Sequence, residues 1–129
     1  MDERTKEILN RFAKSWDETL SFYDELINNH PGFERLIPIR GYILKLRSAG
    51  ADNFFRIGTS MHELLISRSV NFGLRSDQKY IRIEALLSND FFVRFQDGDG
   101  NVYREYRLTS LDDIKLAQLL KTLKSTIVD

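Results

Sequence analysis

The chain has 129 residues, 42% hydrophobic, 29% charged and 12% aromatic, with nineteen Lys and Arg balanced by nineteen Asp and Glu. That length suits one domain, here residues 1–129, and buries about two thirds of its unfolded surface without a metal or disulfide staple. The absence of cysteine excludes disulfides, thiolate metal centres and cysteine nucleophiles.

Fifteen aromatics supply more burial than disordered chains carry. No apolar run approaches the ~20 residues that a membrane span needs. The start, M-D-E-R-T-K-E, lacks the apolar segment of a signal peptide. A soluble, cytoplasmic protein with no membrane partner is expected. Zero net charge exerts no global pull on nucleic acid or anionic lipid.

Residues 3–28 read as one long amphipathic helix. Leu9, Phe12, Trp16, Leu20, Tyr23 and Ile27 recur every three or four positions, which places them on one helical face. Asp2, Glu3 and Glu7 suit the positive end of the helix dipole, and His30-Pro31-Gly32 stops the helix. At about 1.5 Å per residue it spans roughly 39 Å, against roughly 30 Å for a nine-residue strand. It therefore either crosses a sheet diagonally or overhangs it by about two turns, and an overhang could serve dimerisation.

The pattern then changes to period two. Tyr42, Leu44 and Leu46 alternate with Ile43, Lys45 and Arg47, and Phe55 and Ile57 with Phe54 and Arg56. Residues 60–69 fit a short helix capped by Ser60 or a strand with Leu64 and Ile66 on one face; the strand is favoured. Ile81, Ile83, Ala85 and Leu87 form the next apolar face, Phe91, Val93 and Phe95 another, and residues 102–108 a further strand. Short links make the sheet antiparallel.

A three-residue loop Ser88-Asn89-Asp90 would set Leu87 against Phe91, Ala85 against Val93 and Ile83 against Phe95, with Glu84 opposite Arg94. Asp97-Gly98-Asp99-Gly100-Asn101 is the next turn, since Gly and Asn accept positive φ cheaply. Ser110-Leu111-Asp112-Asp113 opens a last helix, with Leu116, Leu119, Leu120, Leu123 and Ile127 as its stripe. The expected fold is α+β: a long N-terminal helix, an antiparallel sheet of about six strands and a C-terminal helix, with the helices packed on one face of the sheet.

Chemical motifs are sparse. His30 suits a helix C-terminus. His62 is not followed by a histidine four residues on, so the metalloprotease helix pattern is missing. A small-ligand or enzymatic pocket near His62 is the third functional reading, because histidine is the commonest general base. Asp97, Asp99 and Asn101 imitate a calcium loop, but Val102 and Leu108 stand where glycine and glutamate are required. No phosphate-binding glycine loop or G-x-S-x-G elbow occurs. No catalytic residue, metal or cofactor is assigned.

Charge is unevenly placed. Residues 1–34 carry four basic and eight acidic groups, residues 35–107 twelve basic and eight acidic, and ten of those twelve are arginines. Strand alternation sets Arg56, Tyr80, Arg82, Phe92 and Arg94 opposite the apolar face, with Lys45, Arg47 and Phe54 also placed there and Tyr103 and Arg107 if the last register holds. Aromatics and arginine are enriched at protein interfaces. The leading expectation is a non-enzymatic protein-interaction module, homodimeric, that uses this face or the long helix. The runner-up is single-stranded nucleic-acid binding, with bases stacked on the aromatics and phosphates on the arginines. Secretion chaperones and toxin-immunity proteins share this general build, an analogy of fold and not of site.

Overall fold

The computed structural model describes residues 2–70, 78–98, 101–126 and 128. Helix α1 (Glu3–Asn29) leads through a 3-10 turn, Glu34–Leu36, into α2 (Ile37–Ser48). A second 3-10 turn, Ala51–Asn53, precedes β1 (Arg56–Ser60), β2 (Glu63–Ser67), β3 (Tyr80–Ala85), β4 (Phe91–Gln96) and β5 (Val102–Leu108), and α3 (Ile114–Lys124) follows. Among the described residues the five strands form one antiparallel meander in the order β1-β2-β3-β4-β5. The fold is α+β as expected, with five strands instead of six. No described helix is long and apolar enough to cross a membrane.

Helix α1 starts where its chemistry predicts. The Asp2 carboxylate accepts from the Thr5 N–H at 2.7 Å, which satisfies one of the orphan donors of the first turn. The His30 N–H closes the other end on Leu26 O, and Gly32 turns away at φ 95°, a conformation that costs glycine little. Only from Phe12 onward does α1 bury side chains fully: Phe12, Ser15, Trp16, Thr19 and Tyr23.

The missing sixth strand is α2. Tyr42, Leu44 and Leu46 do alternate, but Ile39, Tyr42 and Ile43 sit at i, i+3 and i+4 and all are buried, while Leu44 is exposed. Pro38 stands in the first turn of α2, where its fixed φ helps a helix and its missing N–H costs nothing. Gly50, at φ 88°, ends the run and donates to Arg47 O. Arg47 and Lys45 therefore leave the sheet. Arg47 pairs with Asp17 of α1 at 2.8 Å, Lys45 with Asp112, and Arg40 with Asp24 of α1. Part of the acidic excess of α1 is thus neutralised within the chain by α2.

The Tyr42 hydroxyl is buried with no hydrogen-bond partner among the described residues. A buried unpaired hydroxyl costs its desolvation. Tyr42→Phe is expected to leave neutral-pH stability unchanged or raise it by up to about 1 kcal/mol. A lower urea midpoint in the variant would show that the hydroxyl has a partner in solution.

Residues 63–67 form a strand, as favoured. The β3–β4 register is shifted by two from the expectation: Ala85 faces Phe91, Ile83 faces Val93 and Ile81 faces Phe95. The connection runs from Leu86 to Asp90, with the Leu86 N–H on Asp90 O and the Asn89 N–H on Leu86 O. Asn89 takes φ 68°, which asparagine tolerates. A shift of two preserves which face each residue occupies, so the core is unchanged. Leu87, however, is exposed, Glu84 lies opposite Phe92, and Arg94 lies opposite Arg82.

Between β4 and β5, Gly98 takes φ 91° and the Asp97 N–H bonds Asn101 O at 2.7 Å; Asp99 and Gly100 of this expected turn lie outside the described residues. At α3 the cap is Asp113, which accepts from the Lys115 N–H, whereas Ser110 accepts from the Asp112 N–H and closes the turn before it. Leu116, Leu119 and Leu123 are buried and Leu120 partly so; Ile127 is outside the described residues. One core joins Trp16 and Tyr23 of α1, Ile39 and Ile43 of α2, the α3 leucines and one sheet face: Ile57, Leu64, Ile66, Ile81, Ile83, Val93 and Phe95.

Candidate binding face and cleft

The opposite sheet face reads directly from the registers. One row crosses all five strands: Gly58, Leu65, Arg82, Arg94, Glu105. A second holds Arg56, Ser67, Tyr80 and Gln96, and a third Glu84, Phe92 and Arg107. Tyr80, Arg82, Phe92 and Arg94 are therefore gathered on β3 and β4. Arg56 is two strands from Tyr80, about 10 Å at the usual strand spacing.

Arg82 and Arg94 are directly opposed like charges, which is unfavourable in itself. Their heads diverge. Arg82 reaches Glu63 of β2 at 3.6 Å, and the Arg94 guanidinium stacks 5.2 Å from the centre of the Phe92 ring. The Nε atoms of both are shielded from water and have no hydrogen-bond partner among the described residues. A buried unpaired donor costs about 1–3 kcal/mol, offset in part by the Glu63 contact of Arg82 and the Phe92 contact of Arg94.

The remaining outer-face expectations divide. Arg107 does face Phe92 and is tied to Asp90 at 3.2 Å. Tyr103 does not join the face. A bulge at Phe95/Gln96 makes it the extra residue of β5, its ring 5.7 Å from Phe95 of the core side. Phe54 precedes β1 and meets the Lys124 ammonium at 3.7 Å.

Arg56 belongs to a second feature. Helix α1 runs along the open edge of β1, where the Trp16 indole N–H donates to Phe55 O at 2.9 Å and Ser15 Oγ accepts from the Ile57 N–H at 3.1 Å. Beyond this seam α1 and the outer face of β1 and β2 enclose a cleft of about 430 Å³. Its α1 wall includes Thr19 and Phe22, its sheet wall Gly58, Leu65 and Ser67, and one end Glu18 and Arg56. Arg56 also donates to Val70 O at 3.0 Å, and burial pushes its guanidinium below the ordinary value while Glu18 opposes the shift. Thr19, Gly58, Leu65 and Ser67 were not singled out from sequence. The one available signal was Ser15 and Thr19, hydroxyls four apart on the flank of an apolar helical stripe.

His62 sits in the β1–β2 turn with its ring 4.9 Å from Phe33, and its carbonyl accepts from the Tyr23 hydroxyl at 3.0 Å. It does not line this cleft. His30 lies 3.7 Å from Glu25. Asp97 pairs with Lys79 at 3.4 Å, and among the described residues no group of three His, Asp or Glu could hold a metal ion. No family model, curated protein or solved structure matches the chain.

Proposed function

We propose that the protein is a non-enzymatic interaction module that pairs with a second copy of itself through the outer sheet face, with Arg82 and Arg94 at the centre, Tyr80 and Phe92 beside them and Arg56 at the margin. The observation that carries this reading is the gathering of Tyr80, Arg82, Phe92 and Arg94 on two neighbouring strands of the face opposite the core. Arginine and aromatic side chains grouped in this way are enriched at protein interfaces. A two-fold interface requires one patch to complement itself, and Glu84 and Glu105 share the face with the two arginines. The solvent side of α1 is a weaker choice, because its charges pair along the helix as Lys6–Glu3, Arg11–Glu7 and Lys14–Glu18. The acids of the sheet face also weaken the field that single-stranded nucleic acid would need.

Light scattering at micromolar concentration is expected to return twice the 15.1 kDa chain mass. Arg94→Glu is expected to return a folded monomer with a little-changed melting temperature, because the relief opposite Arg82 is offset by the new like charge opposite Glu105. A wild-type monomer, or a dimer that Arg94→Glu leaves intact, overturns the proposal. Tight, steeply salt-dependent binding of oligothymidylate by the monomer would instead support the nucleic-acid reading.

A further inference from the structure

We infer that the cleft between α1 and the outer face of β1 and β2 is a binding site for a small uncharged amphipathic molecule bearing a carbonyl or hydroxyl oxygen. Its volume of about 430 Å³ lies in the usual range of small-ligand sites, about 300–1,000 Å³. The space is held open by Gly58. A Cβ built there would meet nothing within 4 Å, so neither crowding nor backbone conformation requires glycine at this strand position. Glycine otherwise weakens a strand interior.

Ser15, Thr19, Thr59, Ser60 and Ser67 bring hydroxyls to the lining, and two of them matter most here. Thr19 and Ser67 are each only 4% exposed and both line it. Ser67 Oγ accepts from the Ser69 N–H, which leaves its own proton to donate. No described residue accepts from either hydroxyl. Two inward donors call for an acceptor oxygen on the ligand. Phe22 and Leu65 supply apolar wall for its body. Charges of both signs, Glu18 with Arg56, Lys14 and Arg11, crowd one end, so a ligand charge of either sign would meet repulsion as well as attraction there. The cleft adjoins the proposed interface, since Leu65 is the cross-strand neighbour of Arg82 and Arg56 borders both. The titration is therefore made on the Arg94→Glu monomer as well as on the wild type, which separates failure of this site from failure of self-association.

N-benzylacetamide, an apolar ring with a neutral amide, is a suitable probe, with phenylacetate and benzylammonium as its charged counterparts. Titration of the amide followed by amide-resolved NMR is expected to shift the Gly58, Thr59 and Ser67 signals saturably, at about millimolar affinity for a ligand of this size. Gly58→Val should abolish the shifts while leaving the melting temperature unchanged or higher, since valine favours a strand. Thr19→Val, which keeps the shape and removes the hydroxyl, should weaken binding about tenfold. Non-saturable shifts, shifts that persist in folded Gly58→Val, or tighter binding of either charged probe would overturn the inference.

Discussion

Trp16→Ala is expected to remove about 3–5 kcal/mol of stability, the usual cost of truncating a fully buried aromatic. For a domain with a total of about 5–15 kcal/mol, that brings the chain near unfolding. Trp16 is wholly buried, and its indole N–H supplies a donor to Phe55 O. Beside it, Ser15 accepts the Ile57 N–H. The two adjacent residues thus close the open edge of β1 with one donor and one acceptor, and unpaired strand edges are otherwise templates for aggregation. Alanine would leave both a cavity and an unsatisfied carbonyl. Trp16→Phe keeps most of the volume but loses the hydrogen bond, so its cost should be nearer 1–2 kcal/mol, about that of one buried bond and a partial void. Urea unfolding followed by circular dichroism measures both, because Trp16 is the chain's one tryptophan and its fluorescence is lost with it. A cost below about 1 kcal/mol for Trp16→Ala would mean that the α1–β1 seam does not hold the fold.

Stability is also expected to collapse steeply in alkali. Burial raises the phenol pKa of Tyr23 well above its ordinary value, reinforced by Glu63, and raises Tyr42 likewise, reinforced by Asp112. Below pH about 10 both phenols are protonated whether the chain is folded or not, and they contribute no pH dependence. Above it the unfolded chain releases two protons that the folded chain retains, so rising pH draws the equilibrium toward unfolding. Each tyrosine contributes about 1.36 kcal/mol per pH unit, hence about 2.7 kcal/mol for the pair, until the raised folded-state values are reached. Urea midpoints measured from pH about 9 to 12 should show this slope, and Tyr42→Phe should halve it. A wild type and Tyr42→Phe with equal slopes would mean that Tyr42 ionises as freely folded as unfolded.

Much of the fold was legible because periodicity survives local error. The α1 stripe of Phe12, Trp16 and Tyr23 was readable, and so was the inward face of β3 and β4, since burial of one face imposes a period on the residues that form it. The misread hairpin shows the limit. A two-residue slip costs nothing in facial pattern, so alternation alone could not separate Ile83 opposite Val93 from Ile83 opposite Phe95. Asn89 at positive φ and the Leu86–Asp90 loop decided it. Residues 42–47 satisfied two periods at once, and the helix became evident only with Ile39 and Pro38 included.

The candidate residues followed the same division. Sequence alternation alone determined that Tyr80, Arg82, Phe92 and Arg94 share the sheet face opposite the core, because side chains of a strand must alternate. Only the tertiary structure opposed Arg82 to Arg94, moved Arg47 and Lys45 into ion pairs on α2, and drew Arg56 to the end of a cleft. The cleft depends on how α1 lies along β1. That contact joins residues about forty positions apart, such as Ser15 and Ile57. Local periodicity fixes the face of each element, whereas the meeting of two elements is settled by packing and hydrogen bonding between them.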